Sequence, residues 1–275
     1  MVQDCEIRYQ RTGVVGAPPL ILIHGASGHS AWWTAVVPLL RGTHDVVTMD
    51  LSGHGDSGHR RRYDADIWAD DVSAVVNDLD AGPAVLIGHS MGGLVALHTA
   101  GRHRHQVAAV VAVDSAVIPH RPLGTGTRGV KFYANQDEAL ANFRLRPRTS
   151  TADPALLASV ARAGLRRDEF GWRWKFDPNA LQRLSREELY ESIRRITCPT
   201  GFIYGSRSEL ATAGTVQFLG SLMGTTVPHV VVNGAFHHVP LDAPVNTAAA
   251  IETLLSTLLP AHARSTSDPP VDRRD

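Results

Sequence analysis

The pentapeptide Gly88-His89-Ser90-Met91-Gly92 constrains this chain most, because it stands where the apolar run Ala84-Val85-Leu86-Ile87 gives way to the helix-forming run Leu94-Val95-Ala96-Leu97-His98. In a Gly-x-Ser-x-Gly pattern at a strand-to-helix turn, the two glycines remove side chains that would collide. The serine hydroxyl is then held out at the tip. The Met91 amide opens the helix with its N–H unpaired and partly positive, near the place where an oxyanion would form. Such a turn needs a buried strand leading into a helix, so an α/β fold is the first expectation.

The rest of the chain keeps the same rhythm. Short apolar runs at Leu20-Ile21-Leu22-Ile23, Val46-Val47-Thr48-Met49, Val85-Leu86-Ile87, 107–113, Phe202-Ile203-Tyr204 and Val230-Val231-Val232 read as strands. Helical patterns fall near 31–40, 66–80, 91–104, 209–222 and 244–259. Alternating β and α segments build a mostly parallel sheet with both faces covered, and functional groups collect at the carboxyl ends of its strands. Residues 6–11 read as one antiparallel strand ahead of these, for a total of seven strands with a rudimentary eighth as the upper bound.

From about 118 to 196 the rhythm stops. A gap of roughly 80 residues is too long for a loop. Helical patterns at 135–144, 153–165 and 184–195, broken by Pro147, Pro154 and Pro178, suggest a helical cap. The expected organisation is a core of residues 1–116 and 197–262, a cap insertion at 117–196, and a disordered polar tail at 263–275. Residues 117–197 hold 15 Lys/Arg against 9 Asp/Glu, so the cap is basic and the remainder acidic. Aromatic residues concentrate there too, and the period-two spacing of Trp172, Trp174 and Phe176 suggests an extended segment more often packed on the body than lining a pocket. Arg144, Arg146 and Arg148 share that alternation and could meet a carboxylate, although a solvated surface is the plainer reading.

Bulk properties exclude several classes. The 275 residues carry a net charge of zero, which argues against general binding to nucleic acid or acidic lipid. The N-terminus lacks an apolar signal region and no apolar run reaches membrane-spanning length, so a cytoplasmic location is expected. Cys5 and Cys198 are isolated thiols without metal or redox spacing. His103-Arg104-His105 and His237-His238 lack a carboxylate or Cys at ligand spacing, so neither a metal nor any other cofactor is expected.

A serine hydroxyl becomes nucleophilic when a base takes its proton, and neutral imidazole suits that task near pH 7. His237 follows the last expected strand in a Gly-containing loop and is the candidate base; His238, its neighbour, should point elsewhere. Four motifs in order, His24-Gly25-Ala26-Ser27-Gly28, Asp50-Leu51-Ser52-Gly53-His54-Gly55-Asp56-Ser57, Gly88 to Gly92, and Gly234-Ala235-Phe236-His237, resemble those of the α/β-hydrolase superfamily over nearly all the chain outside the cap. The resemblance implies a Ser-His-acid triad and an oxyanion hole from the N–H groups of Ala26 and Met91. His24, Asp50 and His54 read as structural, holding the loops that face the site.

The acid departs from the commonest pattern of that superfamily, which places Asp three residues after Gly205; here the position holds Ser208. A serine cannot carry the charge that stabilises an imidazolium. Asp114, at the end of the strand after the elbow helix, and Glu209 are the two candidates, with Asp114 preferred. The expected activity is cleavage of a small carboxylic ester through an acyl-enzyme, on a small-molecule substrate with an apolar or aromatic part. Carbon–carbon hydrolysis of a diketone acid by the same residues is the alternative, and a non-catalytic ligand-binding protein is the reading from another class. The serine at the elbow, in place of an aspartate, argues against dehalogenation.

Overall fold

The computed structural model describes residues 5–15, 18–117, 129–181 and 185–259. The tail expected to be disordered lies outside them, as do parts of the insertion. In chain order the elements are β1 (Tyr9–Gly13), β2 (Leu20–Ile23), α1 (Val37–Leu40), β3 (Asp45–Met49), α2 (Ala65–Leu79), β4 (Ala84–His89), α3 (Met91–Arg102) and β5 (Val107–Val113). The insertion contributes α4 (Gln136–Ala141), α5 (Pro154–Ala163), β6 (Leu165–Asp168), β7 (Gly171–Trp174) and α6 (Arg186–Arg194). The chain then returns through β8 (Thr200–Gly205), α7 (Ala213–Met223), β9 (His229–Val232), α8 (Val239–Asp242) and α9 (Pro244–Leu258).

Seven strands form one sheet in the order β1-β3-β2-β4-β5-β8-β9. β1 runs antiparallel to β3 and every other pairing is parallel. The chain leaves β2 toward β3 and leaves β4 in the opposite direction toward β5. The sheet's switch point therefore lies between β2 and β4, where Ile23 stands in register with Gly88. Loops that diverge at a switch point open a crevice, and this one places the turn after β2 beside the turn after β4.

Strand side chains alternate between faces, and this splits the core in two. Ile21, Ile23, Val47, Leu86, Val110 and Phe202 join Trp68, Leu94, Leu97 and Leu219 on one face. Leu20, Leu22, Val46, Ile87, Val111 and Ile203 join Trp33, Ile251, Leu254 and Leu255 on the other. Burial on both faces explains why β2 to β5 read as unbroken apolar runs.

Two elements differ from the sequence expectation. Residues 31–40 form a short 3-10 turn at Ser30–Trp33 and the single-turn α1, with Pro38 near its start, in place of one helix. Within the insertion, the helix expected over 153–165 ends at Ala163, and Leu165 opens the β6–β7 hairpin, whose second strand matches the extended segment expected at Trp172 and Trp174. α6 docks on the body: its i, i+4 pair Leu189 and Ile193 enters the core beside α3, and a Cβ at Gly101 would lie 2.1 Å from the Ser192 carbonyl oxygen. The remaining insert elements face the carboxyl edge of the sheet.

Candidate active site

Ser90 occupies the turn between β4 and α3 with φ 55° and ψ −119°. A non-glycine residue in such a conformation costs about 1–3 kcal/mol and persists only where its surroundings over-determine it. Here the Ser90 N–H donates to the Val113 carbonyl at 2.8 Å, and the Ser90 carbonyl accepts from Gly93 N at 3.1 Å. Both elbow glycines are required by close approach: a Cβ on Gly88 would lie 2.2 Å from the Gly92 carbonyl oxygen, and one on Gly92 would lie 2.4 Å from that of His24.

His237 lies after β9 with its Nε2 3.0 Å from Ser90 Oγ and its Nδ1 2.7 Å from Asp114 Oδ1. These partners assign the tautomer: Nδ1–H donates to the carboxylate and the Nε2 lone pair faces the hydroxyl. Asp114 follows β5 in a left-handed conformation, φ 46°, and is 0% exposed. A buried carboxylate needs donors. Besides His237, it accepts from Gly205 N at 2.9 Å and from Ser208 Oγ at 2.6 Å. Ser208 Oγ also accepts from the amides of Leu210 and Ala211, so the position that lacks a carboxylate holds a fixed hydroxyl. Glu209 is exposed and is not among the side chains that touch His237.

The amides of Ala26 and Met91 flank the serine from the two switch-point loops. No described residue accepts a hydrogen bond from either. The Ala26 loop runs close to the elbow, for a Cβ on Gly25 would lie 3.2 Å from Ser90 Cβ, and Gly28 N closes the turn on the Gly25 carbonyl at 3.0 Å. His24 braces this loop from below: Nδ1–H donates to the Gly25 carbonyl at 2.8 Å, and Nε2 accepts from Leu51 N at 3.1 Å. Burial pushes its pKa down, consistent with a neutral ring. Asp50 holds the next loop, accepting from Ser30 N at 2.6 Å and Asp56 N at 2.9 Å.

Three buried histidines meet at this edge. The ring nitrogens of His89, His237 and His238 lie within 4.8 Å of one another. Their Nε2 atoms are occupied: His89 donates to the His237 carbonyl at 2.9 Å, His238 donates to the Pro147 carbonyl at 2.9 Å, and His237 faces Ser90. His89 thereby ties the elbow to the loop that carries His237. His238 turns away from the serine and links that loop to the insertion, and burial pushes its pKa down to about 4. Sequence reading did not single out His29, which is likewise pushed to about 4, chiefly by burial, and packs at the end of α5, where a Cβ on Gly164 would lie 2.9 Å from its Nε2. Its position five residues after His24 in a Gly-rich loop was the available signal.

A cavity of about 510 Å³ opens between these loops and the insertion. It reaches the serine's surroundings through Ala26 and His238; Ser90 itself is not part of its wall. Trp174 and Phe176, expected more often on the body than in a pocket, line it, as do Trp32 and Phe143.

A doubly wound sheet with an elbow serine facing a histidine at its carboxyl edge is the architecture of an α/β-fold hydrolase. The model of the alpha/beta hydrolase family matches residues 20–250, and the chain belongs to that family. It is 34% identical, over 55% of its length, to the dihydrolipoyllysine-residue acetyltransferase component of the acetoin cleaving system of Pseudomonas putida, and spans 40% of that protein. It is 27% identical to the 2-(acetamidomethylene)succinate hydrolase of Mesorhizobium japonicum, over 87% of this chain and 89% of that one. A crystal structure of E-2-(acetamidomethylene)succinate hydrolase superposes with a TM-score of 0.76 at 24% identity, covering 91% of this chain and 95% of that one. A putative esterase/lipase of Haemophilus influenzae is 25% identical over 90% of this chain and 86% of its own. No helix among the described residues is long and apolar enough to cross a membrane.

Proposed function

We propose that this protein is a serine hydrolase that cleaves a small carboxylic ester through an acyl-enzyme. The observation that carries the reading is the 3.0 Å contact between Ser90 Oγ and His237 Nε2, with Asp114 2.7 Å behind the imidazole. Ser90 Oγ attacks the ester carbonyl carbon as its proton passes to His237 Nε2. Asp114 stabilises the resulting imidazolium and remains ionised. The negative oxygen of the tetrahedral adduct is received by the Ala26 and Met91 N–H groups, each such donor being worth about 3 kcal/mol of barrier. Collapse expels the alcohol, which takes the proton from His237. A water then repeats the cycle on the acyl-enzyme, releasing the carboxylic acid and restoring Ser90.

Relatives described as hydrolases and as an esterase/lipase support this class of chemistry. The test is turnover of p-nitrophenyl acetate and butyrate together with labelling of Ser90 by a fluorophosphonate. Both should vanish in a folded Ser90→Ala variant. Turnover retained by that variant overturns the mechanism, and absence of labelling in the parent protein favours a binding protein.

One observation favours carbon–carbon hydrolysis of a diketone acid as a second reading: Arg144 and Arg146 line the cavity. A panel of esters, lactones, thioesters and vinylogous diketone acids separates the two.

A further inference from the structure

The cavity beside the proposed triad is charged with one sign only. Lys131, Arg144, Arg146 and Lys175 all line it, and among the described residues no Asp or Glu does. Two of the cations are engaged. Lys175 Nζ meets Asp56 Oδ2 at 2.8 Å, while Lys131 Nζ stands 4.7 Å above the Tyr133 ring and 3.4 Å from Asn142 Oδ1. Arg144 is fixed by its own backbone: Nη1 donates to the carbonyls of Ala141 at 2.8 Å and Phe143 at 2.6 Å, so the guanidinium is held with its remaining N–H groups unspent. Arg146, two residues on and separated from it by the buried Leu145, makes no hydrogen bond or ion pair with any described residue.

A guanidinium offers N–H groups in a planar fork that matches a carboxylate. Arg144 and Arg146 are exposed where they line the cavity, so the apolar wall that includes Trp32, Phe143 and Trp174 receives a ligand's stem while the fork meets its anion in contact with solvent, where salt screens the attraction. We propose that Arg146, with Arg144 beside it, forms a carboxylate-binding subsite. The substrate class is then an ester with an apolar stem and a free carboxylate at the end remote from the bond that breaks. What is cleaved rests on the serine-hydrolase reading; where the anion binds does not.

Calorimetric titration of the full chain with 4-phenylbutyrate and with its neutral amide, 4-phenylbutyramide, tests the subsite without any turnover. The carboxylate should bind at least tenfold more tightly, and raising the salt from 50 to 500 mM should erode that preference. Arg146→Ala should abolish most of it. Arg146→Lys should keep only part, because an ammonium supplies a point charge without the fork. Arg148→Ala, outside the cavity wall, should keep it in full. Equal affinity for acid and amide, no binding of either, or a preference that survives the Arg144→Ala/Arg146→Ala double variant overturns the proposal. Hydrolysis of p-nitrophenyl butyrate by the same preparation is read separately, and its absence counts against the ester reading alone.

Discussion

Ser208 Oγ lies 2.6 Å from Asp114 Oδ1, the same oxygen that receives the Nδ1–H of His237 at 2.7 Å. Two donors converge on one carboxylate oxygen, while Gly205 N holds the other at 2.9 Å. The carboxylate comes from the strand after the elbow helix, and the later loop supplies a hydroxyl that orients it. A hydrogen bond to a charged group is worth about 1.5–3 kcal/mol, so Ser208→Ala should lower kcat of p-nitrophenyl butyrate hydrolysis by roughly ten- to a hundredfold. Asp114→Asn should cost far more, and Glu209→Gln should stay near the parent rate. A larger loss for Glu209→Gln than for Asp114→Asn would reassign the acid.

The backbone donors give a second prediction. Ala26→Ser retains the N–H and should change kcat little, whereas Ala26→Pro removes it. A lost oxyanion donor costs about 3 kcal/mol, so the proline variant should be roughly a hundredfold slower at a melting temperature close to the parent's. Equal rates for the two variants would remove Ala26 from the oxyanion site.

Stability should depend on pH through the buried histidines. His29 and His238 are each pushed down to about 4, first by burial, and His24, His54 and His89 are lowered by burial as well. In the unfolded chain these rings have ordinary pKa values near 6.5. Above that pH both states are neutral and nothing is lost. As pH falls from about 6.5 toward 4 the unfolded state takes up protons first, and each ring held near 4 removes about 3 kcal/mol by the end of the window. Urea midpoints measured at pH 7.5, 6 and 5 should fall steadily, and a flat profile would contradict this burial.

The tight elbow predicts a contrast between glycines. Gly88→Ala places a Cβ 2.2 Å from a backbone oxygen, so about 3 kcal/mol or more of destabilisation is expected. At Gly42 a Cβ meets nothing within 4 Å, and Gly42→Ala should leave the thermal midpoint within about 2 °C of the parent's. Differential scanning fluorimetry on both variants decides it.

Local chemistry made much of this molecule legible. The apolar runs at 20–23, 46–49 and 107–113 reappear as buried strands because a sheet covered on both faces leaves no polar alternation to blur them. The elbow was readable because glycine spacing encodes steric demand. Asp114 could be preferred from sequence because Ser208 removed its usual competitor, but the hydrogen bond between the two could not be foreseen from residues 94 positions apart. The period-two spacing of Trp172, Trp174 and Phe176 marks the extended β7, whereas in β6 only Leu165 of Leu165-Arg166-Arg167-Asp168 is apolar, and nothing in those residues separates the strand from the end of α5. The helical pattern at 184–195 reappears as α6, but its Leu189 and Ile193 announce an apolar face without saying what covers it. The packing of His29 beside Gly164 and the link from His238 to Pro147 depend wholly on tertiary proximity.

The contact between Ser90 and His237 spans 147 positions of chain, and the imidazole follows the outermost strand at the far edge of the sheet. During synthesis the alcohol leaves the ribosome long before its partner exists. On the proposed mechanism the elbow serine therefore stays unactivated until the loop after β9 has docked, and covalent trapping of Ser90 would report that event.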